Sequence, residues 1–254
     1  MQEGYDVFSL SKEDLNHLKG KIIVFEGVDG SGKKTQFTKL LKLLKHLQIP
    51  VKTFDYPQYE KTAGGKLLAN ILWRYKEDDK TETERWHYPH PDGLSPYLLA
   101  LPYAVDRAHD KDGIKQAIKD GYVILFNRYW TSNAGHQTGK IRGKDYRNLI
   151  HERRKFIQYL QDVELVSIGL PKEDIVFYMD VCAETVFKTM SNRETKNDLV
   201  EDDDQYQNDS IDAYRWLCSE FDHWVKISCE NETNCMHSPE VIHSIVIKKL
   251  VDLK

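Results

Sequence analysis

Apolar residues in this chain follow two rhythms. Short, nearly continuous apolar runs alternate with longer stretches in which apolar residues recur every three or four positions. The runs are Ile22–Phe25, Tyr122–Phe126, Ile175–Asp180 and the short Trp224–Ile227, and each predicts a strand; Val51–Asp55, closed by Tyr56-Pro57, is read as a further one. After the first run, Phe37, Leu40, Leu41, Leu44 and Leu47 keep helical spacing. Further helices are predicted over Gly65–Trp73, Tyr97–His109, Gly113–Lys119, Tyr146–Glu164, Glu184–Ser191, Ile211–Phe221 and Pro239–Leu253. Continuous apolar strands separated by helices predict an α/β fold. Its core is a five-stranded parallel sheet with helices on both faces.

Three segments fall outside that rhythm. Residues 1–20 form an N-terminal extension, in which Ser11 followed by Asp14 is a helix-capping signature. This short helix is either a surface arm or a lid over a neighbour. Residues 74–96 are polar, contain Pro89, Pro91 and Pro96, and read as an inserted loop within a domain spanning 21–254. Residues 192–204 carry almost no apolar anchor and read as a lid.

Composition narrows the class. At 254 residues, 40% hydrophobic and 30% charged, the chain is neither disordered nor membrane-spanning. Its net charge of −4 argues against a nucleic-acid partner. None of the four cysteines forms Cys-x-x-Cys, and the first 20 residues hold acidic side chains and no apolar core of a signal. Reduced thiols and a cytoplasmic location follow. Cys229, Cys235, His237 and His243 lie close in sequence, but their spacing fits no common zinc finger.

The strongest chemical signal is Glu26-Gly27-Val28-Asp29-Gly30-Ser31-Gly32-Lys33-Lys34-Thr35, between the first strand and the first long helix. Gly27, Gly30 and Gly32 let the backbone curl so that its N–H groups converge on phosphate oxygens. The helix N-terminus adds about half a positive charge, and Lys33 reaches the β/γ oxygens. Ser31, Lys34 and Thr35 complete the candidate phosphate-binding set. The motif expects Ser or Thr directly after the lysine, as a Mg²⁺ ligand. Lys34 stands there instead, and Thr35 is roughly 100° further round the helix.

The loop, with Thr35-Gln36 after it, resembles that of the thymidylate kinase family, and other segments agree in order. Tyr56-Pro57 resembles the family's aromatic-Pro motif. Tyr103-Ala104-Val105-Asp106-Arg107 is similar to the segment that stacks on and hydrogen-bonds the base. Asn127-Arg128-Tyr129-x-x-Ser132 resembles Asp-Arg-Tyr/His-x-x-Ser. Gly135-His136-Gln137 takes the place of Ala-Tyr-Gln, and Leu170–Val181 resembles the Pro-x-Pro-Asp stretch and its strand. The resemblance covers about Lys21 to Leu253 without the 74–96 insert. It implies transfer of the γ-phosphoryl group of ATP to dTMP, with Mg²⁺, in a homodimer. It implies catalytic roles for Lys33, Arg128 and the lid cation Arg193, with Lys196 in reserve. It implies substrate contacts from Asp29, Tyr56, Tyr103, Arg107, Arg128 and Gln137.

Bland readings stand beside these. On periodicity alone Tyr103 is equally a core residue, and Arg107 could simply pair with Asp106. Asp180, at a strand end, could replace a missing metal-organising acid. Two departures meet at one site: Lys34 replaces a hydroxyl, and Asn127 replaces the strand-end Asp, leaving Thr35 and Asn127 as metal candidates. The arginine expected near Pro57 is missing, with Lys61 nearby. Weakened catalysis, leaving a nucleotide-binding regulatory protein, is therefore one alternative. A nucleoside kinase acting on thymidine is another. No Asn-Lys-x-Asp guanine signature supports a GTPase.

Overall fold

A computed structural model describes residues 10–72, 93–191, 203–232 and 235–253. The strands are β1 (Ile22–Glu26), β2 (Val51–Asp55), β3 (Val123–Asn127), β4 (Ile175–Asp180) and β5 (Trp224–Ser228). They form one parallel sheet in the order β2-β3-β1-β4-β5. The described helices are α1 (Lys12–Leu15), α2 (Lys33–His46), α3 (Ala63–Leu72), α4 (Pro96–Ala108), α5 (Lys111–Lys119), α6 (Trp130–Gly139), α7 (Tyr146–Gln161), α8 (Ala183–Ser191), α9 (Asp204–Glu220) and α10 (Pro239–Val251).

The central strand shows why its apolar run is unbroken. Ile23 and Phe25 face one core with α2 and α10, while Ile22 and Val24 face the other with α5, α7 and α9. Successive side chains point to opposite faces, so burial on both faces demands an apolar residue at every position. The edge strands β2 and β5 expose Lys52 and Lys226, charges that discourage pairing with another sheet.

Residues 10–20 pack on their own chain. Ser11 donates its backbone N–H to Asp14 at 2.8 Å, closing the expected cap. Leu15 and Leu18 are fully buried, and the His17 ring bonds the Leu250 carbonyl at 2.9 Å. Residues 10–20 are therefore part of the core.

Helix α6 was not foreseen. Its sequence, Trp-Thr-Ser-Asn-Ala-Gly-His-Gln-Thr-Gly, has no apolar stripe because nearly every side is buried. Helix α7 also ends earlier than expected: residues Asp162–Ser167 widen into a π-helical turn. The 192–202 part of the expected lid and the 74–92 part of the insert lie outside the described residues, Arg193 and Lys196 included.

Candidate active site

Ligands of open parallel sheets bind beyond the carboxyl ends of the strands, where the chain order reverses. Here β1 and β3 deliver chemistry to that edge. After β1, Gly27, Gly30 and Gly32 have φ of 146°, 84° and 88°. A Cβ on Gly27 would lie 2.6 Å from Ser31 Oγ, so the curl needs glycine there. Ser31 is fully buried beneath the loop, and its hydroxyl has no partner among the described residues.

Lys33 opens α2 and turns back into the loop, donating to Val28 O at 3.1 Å and Asp29 Oδ1 at 2.9 Å. Arg128, just past β3, donates Nη2 to the same Asp29 Oδ1 at 2.5 Å. Its backbone has φ 67°, a conformation that costs a non-glycine residue energy and recurs at functional sites. Burial raises the Asp29 carboxyl pKa, but the charges of Arg128 and Lys33 outweigh it and hold the group well below its usual range. Burial and the like charge of Arg128 together push the Lys33 ammonium down to about 8, against the pull of Asp29.

Beneath this cluster lies Glu26, fully buried at the end of β1. Its carboxylate accepts from Tyr129 N, Thr131 Oγ1, Ser132 Oγ and Tyr214 OH at 2.7–3.1 Å. These bonds tie the start of α6 and the middle of α9 to β1. A Cβ on Gly135 would sit 2.1 Å from the Tyr214 ring, so glycine lets that ring cross α6. The bonding of Glu26 to α6 and α9 escaped the sequence reading because its partners lie far along the chain.

The departures from the motif are now located. Lys34 and Thr35 are both exposed on the first turn of α2. Asn127 is buried; its amide donates to Asp55 Oδ1 at 2.7 Å, and its Oδ1 has no partner among the described residues. Asp180 is held by Arg215, whose Nε donates to it at 2.8 Å. Lys61 is exposed and does not line the cleft. A hard cation takes oxygen ligands. The orphaned Asn127 oxygen and the exposed Thr35 hydroxyl are oxygen donors of that kind, whereas Asp29 is already engaged by two cations. Among the described residues no three His, Cys, Asp or Glu side chains gather around a metal position, Cys229 and His243 included.

A cleft with about 590 Å³ of empty space, its open mouth included, runs from Asp29 and Arg128 past His136 to Tyr103, Arg107 and Gln137. Tyr56 lines it too, its hydroxyl held by Asp110 at 2.9 Å. All six residues expected to contact substrate, Asp29, Tyr56, Tyr103, Arg107, Arg128 and Gln137, thus line one cavity. Tyr103 is half-buried, and its ring packs beside Leu99 and Leu68 of α4 and α3. Gln137 is buried with Oε1 unpartnered among the described residues.

Arg107 does form a buried ion pair, but not with its neighbour Asp106. Its Nε and Nη2 donate to Glu164 at 2.6 and 2.5 Å, and Asn133 donates to the same carboxylate at 2.9 Å. The π-helical turn carries Glu164 into the interior. Asp106 instead anchors the 57–62 segment, accepting from Gln58 N at 2.8 Å and from the Thr62 hydroxyl. Glu164 and His136 were missed as site residues: the first lies in an apparently polar helix, the second in the unrecognised α6.

Comparison with known proteins agrees with this geometry. The thymidylate kinase family profile matches residues 25–239. The chain is 28% identical over 246 residues to the thymidylate kinase of Prochlorococcus marinus, covering 93% of this chain and all of that one. It is 24% identical to that of Plasmodium falciparum over 236 residues, covering 93% and 92%. The solved thymidylate kinase of Candida albicans superposes with a TM-score of 0.64 at 19% identity, covering 92% of each chain, which shows the shared fold. The match extends over most of the chain and includes the phosphate loop, the strand-end arginine and the cleft; the chain belongs to the thymidylate kinase family.

Proposed function

We propose that this chain transfers the γ-phosphoryl group of ATP to dTMP, giving dTDP. The observation that carries the reading is the position of Arg128. It is bonded to Asp29 of the phosphate loop and also lines the cleft, so one guanidinium faces both donor and acceptor phosphates. The acceptor phosphate oxygen is already anionic, so positioning and charge neutralisation carry the barrier rather than a strong base. Lys33 and the loop amides hold the donor. Tyr103, Arg107 and Gln137 hold the base, Asp29 accepts from the sugar 3′-hydroxyl, and Arg193 supplies the lid cation, with Lys196 in reserve. Mg²⁺, if bound with ATP, would neutralise charge on the phosphate oxygens; Thr35 and Asn127 are the residues that would hold it.

Two further aspects belong to the same reading. Leu98, Leu101 and Val105 are exposed along one side of α4, near exposed Leu67 of α3. Such an apolar stripe suits a second copy of this chain in a two-fold pairing. The cysteines described, Cys182, Cys218, Cys229 and Cys235, are all free, in keeping with a cytoplasmic location.

The test is ADP release from ATP by the purified chain with dTMP or thymidine, with products separated by chromatography. Formation of dTDP is expected. Phosphorylation of thymidine in place of dTMP, or of neither, overturns the reading.

A further inference from the structure

The residue facing Arg128 from α6 is His136. Its Nε2 meets Arg128 Nη1 at 2.9 Å. A guanidinium can only donate, so Nε2 must be the bare nitrogen, and the ring's proton sits on Nδ1. Nδ1 is buried without a hydrogen-bond partner among the described residues. Holding Arg128 is therefore the one polar task the ring performs among those residues. The ring itself cannot drift. It lies parallel to Tyr206 at 5.9 Å and edge-on to Tyr214 at 5.5 Å, and Tyr214 is fastened to Glu26.

Arg128 is thus gripped at both terminal nitrogens, by Asp29 on the loop side and His136 on the helix side. The two grips differ in charge. Asp29 is anionic and competes with incoming phosphates for the same guanidinium. An imidazole fixes the direction of the guanidinium without cancelling its charge. Burial and the neighbouring Arg128 push the imidazolium down to about 3, so the ring stays neutral where enzymes of this kind work.

We infer that His136 is a positioning residue for phosphoryl transfer: a neutral acceptor on which Arg128 stays aimed when phosphates displace it from Asp29. The inference rests on the proposed reading of the cleft, and its test separates the two.

The first measurement uses the intact protein without nucleotide, labelled with ¹⁵N-histidine. The His136 signals should show a neutral ring protonated on Nδ1 at pH 7. A ring protonated on Nε2, or an imidazolium, overturns the inference whatever the enzyme catalyses. The second compares His136→Gln, whose amide oxygen can still accept at the Nε2 position, with His136→Phe, which cannot. His136→Phe should lower kcat by about tenfold or more, as misaligned catalytic groups do, with little change in KM for ATP. His136→Gln should recover most of that loss. An unchanged kcat in His136→Phe, or a His136→Gln as slow as His136→Phe, overturns the inference. If His136→Phe does not fold, His136→Asn, too short to reach Arg128, takes its place with the same expected outcome. Absence of dTMP turnover in the unaltered protein would refute the reading of the cleft, while the spectrum would still judge the contact.

Discussion

The two ends of the cleft handle charge in opposite ways. At the phosphate end, one carboxylate, Asp29, is shared by two cations, Lys33 and Arg128. At the base end, one carboxylate, Glu164, is matched by one guanidinium, Arg107, through two bonds, with the Asn133 amide as a third. The first arrangement leaves its cations under-neutralised in direct contact and ready for an anion. The second is closed, and presents the ligand with a rigid wall of fixed donors. The same residue types, arginine and a carboxylate, thus build a recruiting site in one place and a template in the other. What differs is stoichiometry and burial: the Asp29 side chain is 31% exposed, that of Glu164 is not exposed at all.

The largest effect should come from breaking the open end. Arg128→Ala should lower kcat by about 10³-fold or more, the scale of losing a cation that neutralises transition-state charge. Thermal stability should change much less, because Asp29 keeps Lys33 and contact with water. Steady-state kinetics alongside a melting curve checks this. A loss of tenfold or less would make Arg128 a structural partner of Asp29.

The closed end should respond in the reverse order, stability first. Arg107→Leu strands a buried carboxylate, which costs about 3–5 kcal/mol of stability. It also removes a charged hydrogen bond to the base, weakening dTMP binding by about 1.5–3 kcal/mol while ATP binding holds. The double change Arg107→Leu with Glu164→Leu separates the two effects. Calorimetry should find stability largely restored and dTMP affinity still low. Restored dTMP binding in the double variant would mean that Arg107 only holds the fold.

The same contrast explains what could be read in the sequence. The phosphate end is built mainly from residues close in the chain, Gly27 to Thr35, on a strand–loop–helix unit whose periodicity announces it. The three inner strands were legible because burial on both faces leaves an unbroken apolar run, while the edge strands β2 and β5 carry exposed polar residues and were legible by their place in the strand–helix alternation. The base end depends on residues brought together from α4, α6 and the π-helical turn. Asn133, His136 and Gln137 sit on a helix so buried that it shows no amphipathic stripe. Glu164 lies in a stretch whose charges suggest a solvated face. Arg107 was identified from a family resemblance, while its partner was sought in the adjacent Asp106. Local spacing cannot report a contact spanning 57 positions.

Returning to the open end, proton linkage sharpens the comparison. The Lys33 ammonium is pushed down to about 8 by burial and Arg128, from an ordinary value of 10.5. Between about pH 8 and 10.5 the unfolded chain therefore binds more protons than the folded one, so Lys33 makes stability rise with pH in that window. ATP binding should move the other way, because the charged form meets the phosphates. Its affinity should fall by up to about tenfold per pH unit above 8. Isothermal titration of ATP across pH 7–10 checks this. A flat profile would mean that the ammonium keeps its charge and that Asp29 neutralises it more fully than the two-to-one sharing suggests. His136 adds no such slope near neutrality, since its ring is already neutral above about 3.

The smallest expected effect concerns the two motif departures, and it follows from where Asn127 points its amide. Asn127 donates to Asp55 at 2.7 Å, so Asn127→Asp sets two carboxylates against each other. Asp55 is exposed, so the repulsion is screened and should cost only about 1 kcal/mol of stability. A divalent cation held between those oxygens would offset it. Melting temperature of Asn127→Asp should therefore rise with added Mg²⁺ more than that of the unaltered chain. Lys34 is exposed on the first turn of α2, next to Lys33 of the phosphate loop, and its ammonium would repel a metal. Lys34→Ser should enlarge the Mg²⁺ response of Asn127→Asp, and kcat should rise in the pair beyond the product of the singles, by about 0.5–1 kcal/mol of coupling. Strictly additive variants would show that the positive charge gained at 34 and the negative charge lost at 127 do not act on one ion. The phosphate end would then differ from the base end in its cations alone, with metal handling unaffected by either substitution.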